Sequence, residues 1–127
     1  MEPTRPVGGV ESILGRMRSE ASGSAFVFRD GAPDGWITAI TNQRVAGGDA
    51  SAVKRALLLA RLLAALNPAV ADRLVVGWWT SDEGDRYIDV SVVLRSGAEA
   101  LEVASAFVQR AVALVRGSSV TIVETAT

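Results

Sequence analysis

The most regular hydrophobic pattern in the chain lies between residues 74 and 95 and predicts two strands joined by a tight turn. The first strand, Leu74 to Trp79, is almost wholly apolar, and the turn after it, residues 81–85, is acidic and contains a glycine. From Arg86 to Arg95 apolar and polar residues alternate, which is typical of a strand with one buried face. The side chains expected on that buried face are Ile88, Val90, Val92 and Leu94. We therefore expect an antiparallel hairpin at the centre of the fold.

A helix and a last strand are predicted to follow this hairpin. Ser96 and Glu99 have the spacing of a capping box, in which each side chain bonds the backbone N–H of the other residue at the start of a helix. Gly117 would end the helix, and residues 120–123 would form the strand. The positions expected on the buried side of the helix are Leu101, Ala104, Val108, Ala111 and Val115.

The first third of the chain predicts a short helix and a second hairpin. Apolar residues at Val10 and then three, four and seven residues later form one stripe of an amphipathic helix that ends near Gly23. Residues 24–29 and 36–41 have the composition of strands, and residues 30–35 between them contain the aspartate, glycine and proline typical of a turn. These two strands are therefore expected to pair with each other.

The helix predicted from Ala50 to Leu66 is unusually apolar. Its polar residues form only a narrow stripe, made of Ser51, Lys54, Arg55 and Arg61. A helix of this kind is normally covered on more than one side. Within one domain it could lie between the sheet and another helix; alternatively, a second copy of the chain or a different partner covers its outer face. Leu58 and Leu62 are the candidate interface residues in that second case.

The order of predicted elements is helix, hairpin, helix, hairpin, helix and strand. Hairpins that alternate with helices favour an α+β fold, in which a mostly antiparallel sheet of about five strands carries two or three helices on one face. The length of 127 residues is that of one domain. Residues 1–9 contain two prolines and two glycines and are interpreted as an extended arm, and residues 10–127 as a single α+β domain.

Composition argues against several classes of function. The chain has a net charge of −1 and no run of basic residues, so nucleic acid is not an expected partner. The most apolar run, Ala56 to Leu66, is interrupted by Arg61 and is too short to span a bilayer, so no membrane partner is expected. The chain contains no histidine and no cysteine, the commonest general base and the thiolate nucleophile. We therefore expect a soluble, non-enzymatic protein with no catalytic residues and no cofactor.

Two groups of residues are candidates for binding chemistry. Asp82, Asp85 and Asp89 could supply the clustered oxygen ligands that calcium or magnesium prefers, although the spacing of a calcium-binding loop is absent and a solvated turn is the simpler interpretation. In Trp78-Trp79 the two rings must point to opposite faces of a regular strand. The outer ring could join Trp36 and Tyr87 in a stacking platform for a ligand, or Trp36 and Trp79 could anchor a protein partner; under a helix they would be core.

The second half of the chain resembles a pattern in small uncharacterised proteins of actinobacteria and their phages. The residues that carry the resemblance are Gly77-Trp78, Tyr87, Asp89-Val90-Ser91, Glu99-Ala100-Leu101 and Gln109. After Gln109 the predicted long helix departs from the pattern, which returns to strand earlier. The resemblance implies an actinobacterial or phage source and no particular activity.

These observations together predict an interaction or assembly protein that self-associates, as a homo-oligomer, or docks on a larger protein complex. We expect it in the cytoplasm, or in a virion as a minor component if it is encoded by a phage. The competing hypothesis is a small metal- or ligand-binding module, or an enzyme, that uses the acidic turn, residues 82–89.

Overall fold

A computed structural model describes residues 9–45, 49–106, 111–117 and 119–124, without the side chains of Asp49 and Ala111. The elements in chain order are α1 (Val10–Ser19), β1 (Gly23–Phe26), β2 (Gly35–Arg44), α2 (Asp49–Leu66), a short 3-10 helix (Pro68–Arg73), β3 (Leu74–Thr80), β4 (Arg86–Leu94), α3 (Gly97–Ala106), β5 (Ala111–Arg116) and β6 (Ser119–Glu124). Apart from Gly9, the predicted arm lies outside the described residues.

The strands form one sheet in the order β1-β3-β4-β2-β5-β6, and every neighbouring pair is antiparallel. The α+β fold is therefore confirmed, with six strands in place of the expected five. The predicted central hairpin is β3–β4. Its turn is closed by a hydrogen bond of 2.8 Å from the N–H of Ser81 to the carbonyl of Asp85, and Gly84 supplies a positive φ of 88°.

The helix predicted to run from Ser96 to Gly117 is too long. It ends at Ala106, and residues 111–116 form β5, so Ala111 and Val115 belong to a strand and Val108 lies outside the described residues. In β5 the branched side chain of Val112 is buried, and the whole strand pairs with β6. Gly117, with a φ of 60°, lies in the turn between these strands and does not end a helix.

The expected pairing of residues 24–29 with 36–41 is also wrong. β1 pairs with β3, and β2 lies between β4 and β5. The chain leaves β1 at Val27, whose N–H donates to the carbonyl of Leu74 over 3.1 Å. Gly31 and Gly35 then adopt φ angles of 102° and 110°, which let the chain turn and begin β2 at a distant position in the sheet. A turn composition alone predicts a reversal but not which strand becomes the neighbour.

The helices pack on one face of the sheet, which we call the helix face. α1 and α2 cover the larger part of the core, where Met17, Val53 and Trp78 are buried together. α3 covers a smaller cluster, in which the buried hydroxyl of Thr38 donates to the carbonyl of Ala100 over 3.2 Å. The side chains of β4 that point into these clusters are Ile88, Val90, Val92 and Leu94, as the alternation predicted.

Three local predictions about helices are confirmed. The stripe on α1 buries Ile13, Leu14 and Met17. The predicted α2 agrees with the observed helix to within one residue. The N–H of Glu99 donates to the hydroxyl of Ser96 over 3.2 Å, which is one of the two bonds of a capping box.

Candidate interaction surface

The outer side of α2 presents three leucines to solvent. Leu58, Leu62 and Leu66 have exposed fractions of 55%, 54% and 83%. Residues four apart on a helix lie on the same side, so the three side chains form one continuous apolar strip, which we call the leucine surface. The opposite side of the helix is buried against the sheet and α1, through Ala52, Val53, Ala56, Leu57, Ala60 and Ala64. Among the residues that the structure describes, α2 is therefore covered on one side only.

Charge is distributed unevenly along the exposed side of α2. Lys54 and Arg55 lie exposed in its first half, Arg61 is exposed next to Leu62, and the last turn contains no basic residue. The free carbonyls at the end of a helix carry a partial negative charge. Asp72, in the following 3-10 helix, is exposed as well. The exposed basic residues of α2 therefore all precede its last turn.

The tryptophans predicted as anchors lie on different faces of the sheet. Trp78 is buried in the helix-side core, and Trp79 points to the opposite face, as the alternation predicted. There Trp79, 38% exposed, stacks on Tyr87 with ring centroids 4.2 Å apart. Trp36 is half-buried and packs into the smaller core cluster under α3. The structure thus does not bring Trp36 and Trp79 together in one platform.

The candidate metal ligands point into different surroundings. Asp82 is exposed in the turn, and Asp85 accepts a hydrogen bond of 2.7 Å from the guanidinium of Arg44. Asp89 lies further along β4 and is enclosed by β3. Across the parts of the chain that the structure describes, no three histidine, cysteine, aspartate or glutamate side chains are close enough to hold a metal ion.

Asp89 occupies a tight polar site on the face away from the helices. It lies directly across from Gly77 in the β3–β4 ladder, and the hydroxyl of Ser91 donates a hydrogen bond to its Oδ1. A Cβ atom at Gly77 would lie 2.9 Å from Oδ1 and 3.2 Å from Oδ2 of Asp89. Burial raises the pKa of the Asp89 carboxyl, and the hydrogen bond from Ser91 opposes this shift more weakly. Gly77 provides the space for this carboxyl group and was missed by the sequence analysis.

A cleft beside α1 has a volume of 190 Å³ and is lined in part by Arg16, Phe26 and Arg29. Ligand pockets typically measure about 300–1,000 Å³. The guanidinium of Arg16 is already bonded to the carboxylate of Glu20, at 2.8 and 3.1 Å, and to the carbonyl of Ser24, at 2.8 Å. That of Arg29 lies 4.6 Å from the ring centroid of Phe26. The charged groups of the cleft thus make contacts within the chain, and its size is small for a ligand site.

Comparisons with protein-family models, with curated proteins and with solved structures find no match for this chain. None of the helices in the described residues is both long and apolar enough to cross a membrane. On the helices that the structure describes, the leucine surface is the largest exposed apolar strip.

Proposed function

We propose that this protein is a non-enzymatic assembly subunit that self-associates through the leucine surface of α2. The observation that carries the proposal is the exposure of three leucines in one line on a regular helix. Large apolar side chains that are scattered singly on a surface need no explanation, whereas a contiguous strip marks an interaction site.

A second copy of the chain fits this strip when the two α2 helices pack antiparallel. With Leu62 at the two-fold axis, Leu58 of one subunit contacts Leu66 of the partner subunit, and the same contact occurs twice. Burying the exposed parts of six leucines contributes roughly 5–10 kcal/mol, and the loss of rotational and translational freedom costs roughly 4–15 kcal/mol. We therefore expect a reversible dimer whose population depends on protein concentration.

The charges along α2 favour the same antiparallel arrangement. In it, Lys54 and Arg55 of each subunit lie near the end of the other subunit's α2, where the free carbonyls carry a partial negative charge. A parallel arrangement would instead place Lys54, Arg55 and Arg61 of one helix beside the same residues of the other, whereas the antiparallel one does this only for Arg61, near the two-fold axis. Charge thus favours the antiparallel direction for an apolar contact that has no direction of its own.

The test is absolute molar mass by light scattering after size-exclusion chromatography, over a range of protein concentrations. We expect a multiple of 13.3 kDa that is reduced by Leu58→Glu combined with Leu62→Glu. Both leucines are exposed, so the two glutamates should leave the fold intact, which circular dichroism can check. The matched control is Ala98→Glu with Ser105→Glu, at two exposed positions of α3.

A mass of one chain at every concentration would refute self-association and would direct attention to a different protein partner. An oligomer of the same mass in the presence and absence of the two leucine substitutions would show that α2 is not the contact.

A further inference from the structure

The two edges of the sheet are built differently. β1, at one edge, has four residues, and neighbouring side chains bond the backbone around it. The guanidinium of Arg16 donates to the carbonyl of Ser24 over 2.8 Å, and the hydroxyl of Thr80 donates to the carbonyl of Ala21 over 2.9 Å. Arg16 belongs to α1, which packs beside this edge. Such covering is a common protection of an edge strand.

β6, at the other edge, has none of these protections among the residues that the structure describes. It has six residues, Ser-Val-Thr-Ile-Val-Glu, with neither lysine nor proline, and it pairs with β5 without a bulge. Val120 and Ile122 are 59% and 62% exposed. No side chain in the described part of the chain forms a hydrogen bond with the N–H or C=O groups on the outer side of β6. An exposed, regular, β-branched edge is a template for another strand.

We propose that β6 is a second self-association site, at which two copies of the chain join their sheets by antiparallel pairing of β6 with β6. This inference rests on the proposed assembly role but uses a surface separate from α2. The occupant follows from the self-complementarity of the strand. Under a two-fold axis perpendicular to the sheet, residues that face each other carry their side chains on the same face, which leaves few registers possible.

One of these registers is favourable. When the axis passes between the two Thr121 residues, Val120 of each subunit faces Ile122 of the partner subunit, and Ser119 faces the partner subunit's Val123. Apolar and threonine pairs of this kind stabilise neighbouring strands. If the axis lay at Ile122 instead, each Val120 would face a glutamate, Glu124 of the partner subunit. The first register also separates the two glutamates from each other.

Two isologous contacts on one chain have a consequence for the assembly. A dimer through α2 leaves two β6 edges free, and a dimer through β6 leaves two leucine surfaces free. If the two-fold axes of the two contacts intersect at right angles, the assembly closes as a tetramer. If they do not intersect, it continues as a chain in which the two contacts alternate. We therefore expect the native protein to form species larger than the dimer that either contact would produce alone.

Cysteine substitution tests the register directly, because the natural chain contains no cysteine. In the favourable register the two copies of residue 121 face each other, with Cα atoms about 4.5–5.5 Å apart, within the range that a disulfide spans. The two copies of residue 122 are offset by two positions and lie beyond that range. We expect Thr121→Cys to form a disulfide-linked dimer on mild oxidation, roughly tenfold or more faster than Ile122→Cys, with both substitutions made in the 127-residue chain. Equal rates for the two variants would overturn the proposed pairing.

Molar mass separates the two contacts. Val120→Lys with Ile122→Lys places lysines opposite each other in the proposed register. Both positions are exposed in the single chain, so the fold should be unaffected. We expect this variant to form only the dimer through α2. Leu58→Glu with Leu62→Glu should leave a dimer through β6, and all four substitutions together should give a monomer.

A native mass that the two lysine substitutions leave unchanged would refute the β6 contact and leave the proposed function intact. If the two lysine substitutions alone reduce the mass to one chain, and the two glutamate substitutions leave it unchanged, the leucine contact is refuted and the β6 contact is supported. A native monomer that does not cross-link through Thr121→Cys would refute both.

Discussion

The contact between Gly77 and Asp89 predicts that a single added methyl group destabilises the sheet. In Gly77→Ala the new Cβ would lie 2.9 Å from Oδ1 of Asp89, closer than carbon and oxygen normally approach. Asp89 has a short side chain and is bonded to Ser91, so the carboxyl group has little freedom to move away. Overpacking of this kind costs about 1–3 kcal/mol, and alanine regains about 0.5–1 kcal/mol over glycine inside a strand. We expect a net loss of about 0.5–2 kcal/mol in the free energy of unfolding.

A double-mutant cycle attributes this loss to the named contact. In the background Asp89→Ala the carboxyl oxygens are absent, so Gly77→Ala should be neutral or stabilising by about 0.5–1 kcal/mol. The interaction free energy of the two positions should therefore be about 1–3 kcal/mol. The assay is urea unfolding followed by tryptophan fluorescence, with all variants at one protein concentration because association changes apparent stability.

A matched control is Gly15→Ala, on the exposed side of α1. No atom lies within 4 Å of a Cβ built there, so we expect this variant to be more stable by about 0.5–1 kcal/mol. A steric contact between Gly77 and Asp89 is refuted if Gly77→Ala has the same effect in the native and Asp89→Ala backgrounds, within the roughly 0.3–0.5 kcal/mol error of additivity.

Three further outcomes are expected from the contacts described above. Burial raises the pKa of Asp89 in the folded state, so between the ordinary and the raised pKa the folded chain binds more protons than the unfolded chain. The contribution of this group to the free energy of unfolding therefore falls as pH rises through that window. Asp89→Asn should remove this dependence and stabilise the protein at pH 7, as measured by urea unfolding across pH. Thr38→Val should destabilise by about 1 kcal/mol, since it removes the buried hydrogen bond to Ala100. Gly23→Ala should destabilise in thermal unfolding, because its Cβ would lie 2.5 Å from the ring of buried Trp78.

The elements that were predicted correctly are those whose pattern of apolar and polar residues can be recognised within a short stretch of the chain. The alternation in β4 and the apolar stripe of α1 each specify one element and its buried side. The residues of β5 do not, because alanine favours a helix and valine a strand, and the decision comes from pairing along the whole of β6. The partner of β1 depends on β3, about fifty residues further along the chain. Local pattern contains no information on such a contact.

The candidate surfaces were predictable to different degrees. The leucine surface follows from the composition of α2, because no arrangement of so many leucines on one helix buries them all against one sheet. The burial of Asp89 required the register of the central hairpin. Once the turn is fixed at residues 81–85, counting outward places Gly77 across from Asp89. The pairing of these two residues thus follows from the sequence, whereas the burial of Asp89 does not, since strand acids are usually exposed.

The covered edge at β1 limits what the open edge at β6 can do. Fibrils of the cross-β type need two open edges in each chain, so that every molecule accepts a neighbour on either side. Here the backbone around β1 is already bonded to Arg16 and Thr80. If β6 pairs with β6 of a second copy as proposed, sheet extension would end once two copies have joined, and the exposed edge strand would form a dimer contact and not a fibril.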